Sequence, residues 1–123
     1  MAEQHRIEVE LAAAFKALGD PTRLSIFEFL CECCCDVAVD EAGDVSPAEG
    51  PTAGEVCCRV TGVEKITSTV SFHLKELRNA SLITMKKRGK HMVCSVNRHT
   101  LALMQAYWNR IGVLAETECC EKE

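Results

Sequence analysis

Apolar residues recur at intervals of three and four along much of the chain, the spacing that places them on one face of an α-helix. The N-terminal example comprises Ile7, Leu11, Phe15 and Leu18. We therefore predict a first helix over residues 5–18, which Gly19 ends. Asp20 is a good N-cap and Pro21 suits the first helical position, so a second helix should follow and reach the cysteines that begin at Cys31.

The helical pattern breaks over residues 36–51, where Gly, Pro and acidic residues dominate. This composition predicts a loop with a short strand at Val37–Val39. Beyond it, Thr52 can cap a short third helix that Gly62 ends.

Residues after Thr67 return to helical spacing, and this fourth helix should end around residues 79–81. Its buried side is expected to carry Val70, Leu74 and Leu77. Two short runs, Leu82–Met85 and Met92–Val96, then predict a β-hairpin with Gly89 in its turn.

The last apolar pattern predicts a C-terminal helix that is apolar around much of its circumference. A small domain has few places to bury such a helix, so we expect a second protomer to cover it. The predicted dimer residues are Leu101, Met104, Tyr107, Trp108 and Ile111.

The predicted order is helix, helix, short helix, helix, hairpin, helix. This is the pattern of a winged helix-turn-helix, a mainly α fold of about five helices with a two-stranded wing. Its 123 residues suit a single domain over residues 1–123. Residues 36–51 would form an acidic loop insertion and residues 116–123 an acidic tail that contains cysteines.

Charge is distributed unevenly along a chain whose formal net charge is −4. Residues 36–55 contain six carboxylates and no Lys or Arg, whereas residues 65–98 contain eight Lys or Arg and one acid, Glu76. A cation-rich strip on an acidic protein indicates a nucleic-acid-binding surface that the net charge hides.

Two parts of this strip are expected to contact DNA. At about 100° per residue, the side of the fourth helix opposite its buried residues reads the major groove, and the basic hairpin meets phosphates. His73 lies toward the buried flank and is expected to be a boundary residue rather than a base contact. The predicted DNA-binding residues are Thr67, Ser68, Thr69, Ser71, Phe72, Lys75, Lys86, Lys87, Arg88 and Lys90.

Nine cysteines are many for a chain of this length, and four of them fall within residues 31–35. The polar N-terminus resembles no secretion or lipidation signal, so we expect a cytoplasmic protein without a membrane segment. In a reducing compartment, clustered cysteines indicate a soft-metal or metalloid site, or redox chemistry, rather than disulfides. Cys94, alone in the second strand, is expected to pack in the core.

Two longer stretches carry a family resemblance. Residues 15–30, "FKALGDPTRLSIFEFL", and residues 67–83, "TSTVSFHLKELRNASLI", followed by the "KKRGK" wing, resemble the ArsR/SmtB family. The resemblance implies a homodimeric winged-helix repressor that binds operator DNA and is released by a metal or metalloid ion. It also implies that the chain is not an enzyme, and no nucleophile–base pairing or Gly-rich phosphate loop in the sequence suggests one.

The resemblance extends in part to the ion site. The family's arsenic, cadmium and lead sensors carry Glu-Leu-Cys-x-Cys on the helix before the recognition helix, and the matching stretch here is Glu55-Val56-Cys57-Cys58-Arg59. Cys57 matches the first family cysteine, but Arg59 occupies the second position. The family's zinc site on the last helix is not expected, because that helix offers His99 near its start and no later His.

Thiolates are the preferred ligands of As(III) and of soft ions such as Cd, Pb and Hg. We expect Cys57 and Cys58 to start the third helix, where the helix dipole favours thiolates, and the preceding loop to bring them to the 31–35 cluster. The predicted ligands are Cys33, Cys34, Cys35, Cys57 and Cys58, with Cys31, Cys119 and Cys120 as further candidates.

The sequence thus predicts a repressor that As(III) or a soft heavy-metal ion releases from operator DNA, with no organic cofactor. Two alternatives remain open. The first is a thiol redox or persulfide switch on the same DNA-binding fold. The second is a small metal-handling protein without a DNA role.

Overall fold

The computed structural model describes residues 2–33, 37–39, 45–47, 50–62 and 66–117. The helices are α1 Ala2–Ala17, α2 Pro21–Cys33, α3 Ala53–Thr61, α4 Ser68–Asn79 and α5 Arg98–Ala115. The strands are β1 Val37–Val39, β2 Val45–Pro47, β3 Ile83–Arg88 and β4 His91–Val96. They form two antiparallel hairpins, β1–β2 and β3–β4.

Side-chain caps fix the starts of the helices around the helix-turn-helix motif. The Asp20 carboxylate accepts the backbone N–H groups of Thr22 and Arg23 at 2.9 and 3.1 Å. Thr52 and Glu55 form a reciprocal capping box at α3, in which the Thr52 hydroxyl accepts the Glu55 N–H at 3.1 Å. Each cap satisfies donors that the first turn of a helix leaves unpaired.

The end of α4 is fixed by a Schellman motif. The Ser81 N–H donates to the Arg78 carbonyl at 2.9 Å, and the Leu82 N–H donates to the Leu77 carbonyl at 3.0 Å. Ser81 adopts a left-handed conformation with φ of 62°, although this position usually holds Gly. Leu77 and Leu82 are both fully buried, so the chain leaves the helix directly into the core.

The second hairpin forms the wing, and its turn lies at Gly89, whose φ is 60°. The pairing register runs from Ile83 opposite Val96 to Arg88 opposite His91. The outer edge of β4 is covered by residues 50–52, because the Cys94 N–H donates to the Pro51 carbonyl at 2.8 Å and Thr52 bridges to Val93. A Cβ atom at Gly50 would collide with the Cys94 carbonyl, so this approach requires glycine.

The core lies between the helices and the inner face of the wing. Leu11 and Ala14 of α1 and Met104 of α5 meet there with buried residues from every other described helix. The largest fully buried side chains are Ile26, Leu30, Leu74, Leu77, Leu82 and Ile83. The expected buried set of α4 is confirmed, and so is the burial of Cys94.

The predicted winged helix-turn-helix fold is confirmed, with three differences in detail. The stretch 36–51 contains the predicted strand β1 and also its partner β2. The strand β2 was not predicted because the neighbouring Gly, Pro and acidic residues are typical of loops. The first wing strand extends to Arg88 and the second starts at His91, so the turn is shorter than the one predicted between Met85 and Met92. The expectation that Cys57 and Cys58 start the third helix was wrong, because the Thr52 cap begins α3 at Ala53.

Candidate nucleic-acid interface and thiol region

The two helices α3 and α4 pack against each other and form the helix-turn-helix motif. The Thr67 hydroxyl accepts the Val70 N–H at 3.2 Å and starts α4 at Ser68. Val70, Leu74 and Leu77 are at most 2% exposed and hold the helix to the core. The opposite side of α4 therefore points outward, as its spacing predicts.

The outward side of α4 is occupied by the predicted DNA-facing residues. All of them are exposed in the structure: Thr67, Ser68, Thr69, Ser71, Phe72 and Lys75. Hydroxyl groups cluster in the first turn, and a cation follows one turn later. This arrangement matches a recognition helix, whose N-terminal residues reach base edges in the major groove.

The wing separates its cations onto two faces, because successive side chains of a strand point in opposite directions. Thr84, Lys86 and Arg88 share one face, where they line a shallow cleft of about 150 Å³ with Val93 and Ser95. Lys87 lies on the other face, in line with the buried Ile83 and the half-buried Met85. Lys90 lies at the turn, and all four predicted wing cations are exposed.

A group of charged residues holds α4 to the start of α2. The Arg23 guanidinium lies 3.7 Å from the Glu76 carboxylate, and its side chain is only 18% exposed. The backbone N–H of Arg23 holds the pKa of Asp20 below its usual value, and the charges of His73 and Arg23 act in the same direction. His73 is half-buried at this contact, which agrees with its predicted boundary role.

Apart from Cys94 in β4, the described thiols lie at the end of α2 and along α3. Cys31 and Cys33 are half-buried in the last turn of α2, and Cys58 is half-buried in α3. Cys57 is 0% exposed, and its Sγ lies 3.8 Å from the hydroxyl of Thr61. Cys57 is therefore a core residue as well as a candidate ligand.

Contacts of Arg59 join the two thiol-bearing helices. Its guanidinium lies 5.0 Å from the centre of the Phe29 ring and 4.0 Å from the Glu32 carboxylate, both on α2. The predicted ligands Cys34, Cys35, Cys119 and Cys120 lie outside the described residues. Among the residues that are described, no group of three or more His, Cys, Asp or Glu side chains is placed to hold a metal ion.

The predicted dimer residues differ in exposure. Trp108 is 58% exposed, whereas Leu101, Tyr107 and Ile111 are half-buried. Met104 is only 8% exposed and packs in the core of its own protomer. The Phe15 ring of α1 lies 5.4 Å from both the Tyr107 and the Trp108 ring, so α1 and α5 present one aromatic surface.

Solved structures with this arrangement are transcriptional regulators. A crystallised ArsR-family transcriptional regulator superposes with a TM-score of 0.63 at 19% identity, over 88% of this chain and 98% of the other. An ArsR-like transcriptional regulator from Rhodococcus sp. RHA1 gives 0.62 at 20% identity, over 93% and 90%. The chain has the winged helix-turn-helix fold of these regulators.

A third similar structure is a homodimeric winged helix-turn-helix DNA-binding domain from Mycobacterium bovis, described as a possible ArsR-family regulator. It gives a TM-score of 0.58 at 17% identity, over 92% of this chain and 84% of that chain. No family model and no curated protein matches the chain. These neighbours support the ArsR/SmtB resemblance at the level of the fold.

The winged-helix geometry also adds residues that the sequence interpretation missed. Thr84 joins Lys86 and Arg88 on one wing face, which strand alternation predicts once the register is known. Val9 of α1 and Val113 and Leu114 of α5 are between 50% and 65% exposed, so both helices present further apolar side chains to solvent. No helix in the described part of the chain has both the length and the apolar character needed to cross a membrane.

Proposed function

We propose that the chain is a homodimeric, DNA-binding transcriptional repressor of the ArsR type, and that As(III) or a soft heavy-metal ion releases it from operator DNA. In this proposal it acts as a regulator and not as an enzyme. The observation that carries the DNA-binding part is the combination of an exposed, hydroxyl-rich α4 face with an exposed cationic wing in one small fold.

The electrostatics of the two DNA-facing elements support this part of the proposal. Lys75 on α4 and Lys86, Arg88 and Lys90 on the wing are all exposed, in a protein of net charge −4. Cations that meet phosphates release counterions, so they supply affinity without reading sequence. The hydroxyls of Ser68 and Ser71 would then contact phosphates or base edges beside them.

The aromatic surface of α1 and α5 supports dimer formation. Trp108, Val113 and Leu114 are each at least 50% exposed, and covering such large apolar side chains with a partner is favourable. A second copy of the chain would cover these residues, and the neighbour from Mycobacterium bovis is described as homodimeric. A two-fold dimer places two recognition helices one helical turn of DNA apart, which suits a palindromic operator.

The thiols support the inducer part of the proposal. Thiolates at the end of α2 and on α3 have the chemistry that soft ions require, and Arg59 shows that the two helices touch there. Bound As(III) or a soft divalent ion would supply a centre that thiolates of both helices can share. The proposed ligands come from Cys33, Cys34, Cys35, Cys57 and Cys58.

Coupling follows from the position of α3 as the first helix of the DNA-binding motif. If the Cys58 and Cys57 thiolates move toward the end of α2, α3 must tilt, and α4 packs directly against it. Half-sites at fixed spacing tolerate little displacement of the recognition helices. The same coupling requires operator DNA to weaken ion binding by the factor by which the ion weakens DNA binding.

The DNA-binding part is tested by fluorescence anisotropy with a labelled duplex from the chain's own promoter and with a scrambled duplex of equal length. We expect tight binding to the promoter duplex and weaker, strongly salt-dependent binding to the scrambled one. Equal, weak binding to both duplexes at all salt concentrations would contradict the proposal and favour a metal-handling protein without a DNA role.

The inducer part is tested by titrating As(III), Cd or Pb into the protein–DNA complex. We expect release from the native chain and reduced release from a Cys33→Ser/Cys58→Ser variant, with Cys94→Ala, which adds no polar group to the core, as the control that keeps the inducer response. Release by peroxide or polysulfide, with no release by any of the three ions, would instead establish the thiol redox or persulfide switch.

A further inference from the structure

Phe72 is a large apolar side chain placed where the recognition helix needs to be polar. It is 55% exposed, although α4 buries its other apolar residues, Val70, Leu74 and Leu77, to 2% or less. At about 100° per residue, Phe72 lies within about 15° of the direction opposite to the centre of those three. It therefore projects outward from the middle of the exposed face.

Packing among the described residues does not account for the position of Phe72. The ring contact recorded for Phe72 is a tilted one with the neighbouring His73, at 5.8 Å between ring centres. His73 follows directly along the same helix, so this contact does not cover the outer face of the ring. More than half of a phenyl side chain is left in water, at a cost that a partner surface would remove.

The surroundings of Phe72 select the chemistry of that partner. Ser68 lies one turn before it and Lys75 one turn after it, and both are exposed. A protein or lipid surface that covered the ring would also have to bury this lysine and the hydroxyls. Duplex DNA matches the whole patch, because phosphates pair with the lysine and hydroxyls while the groove floor meets the ring.

The major groove offers one apolar group to such a ring, the 5-methyl group of thymine. On the basis of the DNA-binding function proposed above, we infer that Phe72 determines specificity by contacting a pyrimidine 5-methyl group in each operator half-site. The ring excludes water from the methyl group, and cytosine or uracil at that position leaves the ring without its partner. The chain thus reads one base pair per half-site by apolar contact.

The test uses duplexes selected from a random pool by the native protein, followed by replacement of each thymine with deoxyuridine, one position at a time. Deoxyuridine keeps every hydrogen-bonding group and removes only the methyl group. We expect one position per half-site at which affinity falls about fourfold, the factor associated with burial of a single methyl group. Replacement of both half-sites should lower affinity about 15-fold, since the two contacts are equivalent and separate.

Two variants give the matched controls. Phe72→Ala should bind the thymine and deoxyuridine duplexes equally well, because the partner of the methyl group is gone. Lys75→Ala should weaken both duplexes by the same factor and keep the fourfold difference between them. Phe72 and Lys75 are both exposed, so both variants should keep the native melting curve. Circular dichroism measures that curve.

Restoration of the methyl group provides the reverse experiment. A cytosine at the critical position should bind weakly, and 5-methylcytosine there should bind about fourfold more tightly than cytosine to the native protein but not to Phe72→Ala. Sensitivity to deoxyuridine that persists in Phe72→Ala, or no sensitivity at any thymine, would overturn the inference while leaving DNA binding intact. Failure of the native protein to select any duplex would overturn the proposed function as well.

Discussion

The two helices of the helix-turn-helix motif, α3 and α4, differ in how far their candidate functional side chains are exposed. On α4 the residues proposed to act are exposed, and its buried side serves only to hold the helix. On α3 the candidate ligand Cys57 is itself in the core at 0% exposure, and Cys58 beside it is half-buried. An exposed face can bind DNA without any rearrangement of the protein. A buried thiol can bind an ion only if the packing around it changes.

In the proposed function, this difference would let an ion bound by the thiols affect the DNA-binding helices. An ion that used the Cys57 thiolate would draw a core side chain out of contact with its neighbours, and interiors respond to such changes because they are close-packed. A site built only from exposed thiols would disturb the packing of α3 against α4 less. The burial of Cys57 therefore fits an ion-responsive repressor better than a protein that only stores metal ions.

The largest expected effect concerns the cationic wing face. Lys86→Ala/Arg88→Ala should lower promoter affinity about a hundredfold, since each charged contact contributes roughly a factor of ten. The slope of log affinity against log salt should become shallower by about two. Anisotropy titrations at several salt concentrations measure both quantities.

Lys87 provides the matched control for that experiment. It carries the same charge in the same strand but lies on the opposite face of the wing. Lys87→Ala should change the salt slope by less than the loss of one full phosphate contact. Equal effects of Lys87→Ala and Lys86→Ala would show that the wing acts as a diffuse charge rather than through one face.

The next effect distinguishes the two adjacent thiols of α3. Cys57→Ser should lower the free energy of unfolding by about 2 kcal/mol, because it places a hydroxyl in an apolar core. Cys58→Ser should change it by less than about 0.5 kcal/mol, as is usual away from the core. Urea denaturation monitored by circular dichroism compares them, and similar losses for both variants would contradict the difference in burial.

A smaller effect is expected at the end of α4. Ser81→Gly should raise the free energy of unfolding by about 1 kcal/mol, because Gly adopts the left-handed conformation without the penalty of a Cβ atom. Ser71→Gly, on the exposed face of the same helix, should instead lower it by roughly 0.5–1 kcal/mol. A loss of stability in both variants would show that Ser81 contributes more than its backbone conformation.

The smallest effect is expected at Cys94, the buried thiol of the wing, which should react very little with an alkylating reagent. Burial raises the pKa of Cys94 to about 11, so its thiolate is scarce at pH 8. Mass spectrometry after brief treatment with iodoacetamide should find Cys94 unmodified and Cys58 modified. Because the folded state keeps the proton longer, stability should fall as pH rises from about 9 to about 11, and Cys94→Ala should reduce that fall.

The DNA-facing region was predictable because its signals are local. Thr52 and Thr67 mark helix starts, Gly62 and Gly89 adopt positive φ, and the spacing of the buried residues of α4 fixes which side faces outward. Each of these features depends on residues a few positions apart. The exposure of Phe72 and Lys75 follows from the same spacing.

The thiol region was less predictable because its arrangement depends on contacts that are distant in sequence. The burial of Cys57 is the exception, because Ala53, Val56 and Cys57 lie on one side of α3 and their spacing indicates a buried face. The contact of Arg59 with Phe29 spans the whole insertion between α2 and α3, and no local pattern encodes it. The ligand set therefore stays a prediction.

Gly50 connects the insertion to the wing in a way that has a mechanical consequence. Any side chain there would meet the carbonyl of Cys94 and push residues 50–52 away from β4. The segment between α2 and α3 therefore ends with residues 50–52 bound to β4, one of the two strands of the wing. A Gly50→Ala substitution would weaken this attachment of residues 50–52 to β4. It would leave the candidate DNA-binding side chains and all cysteines chemically unchanged.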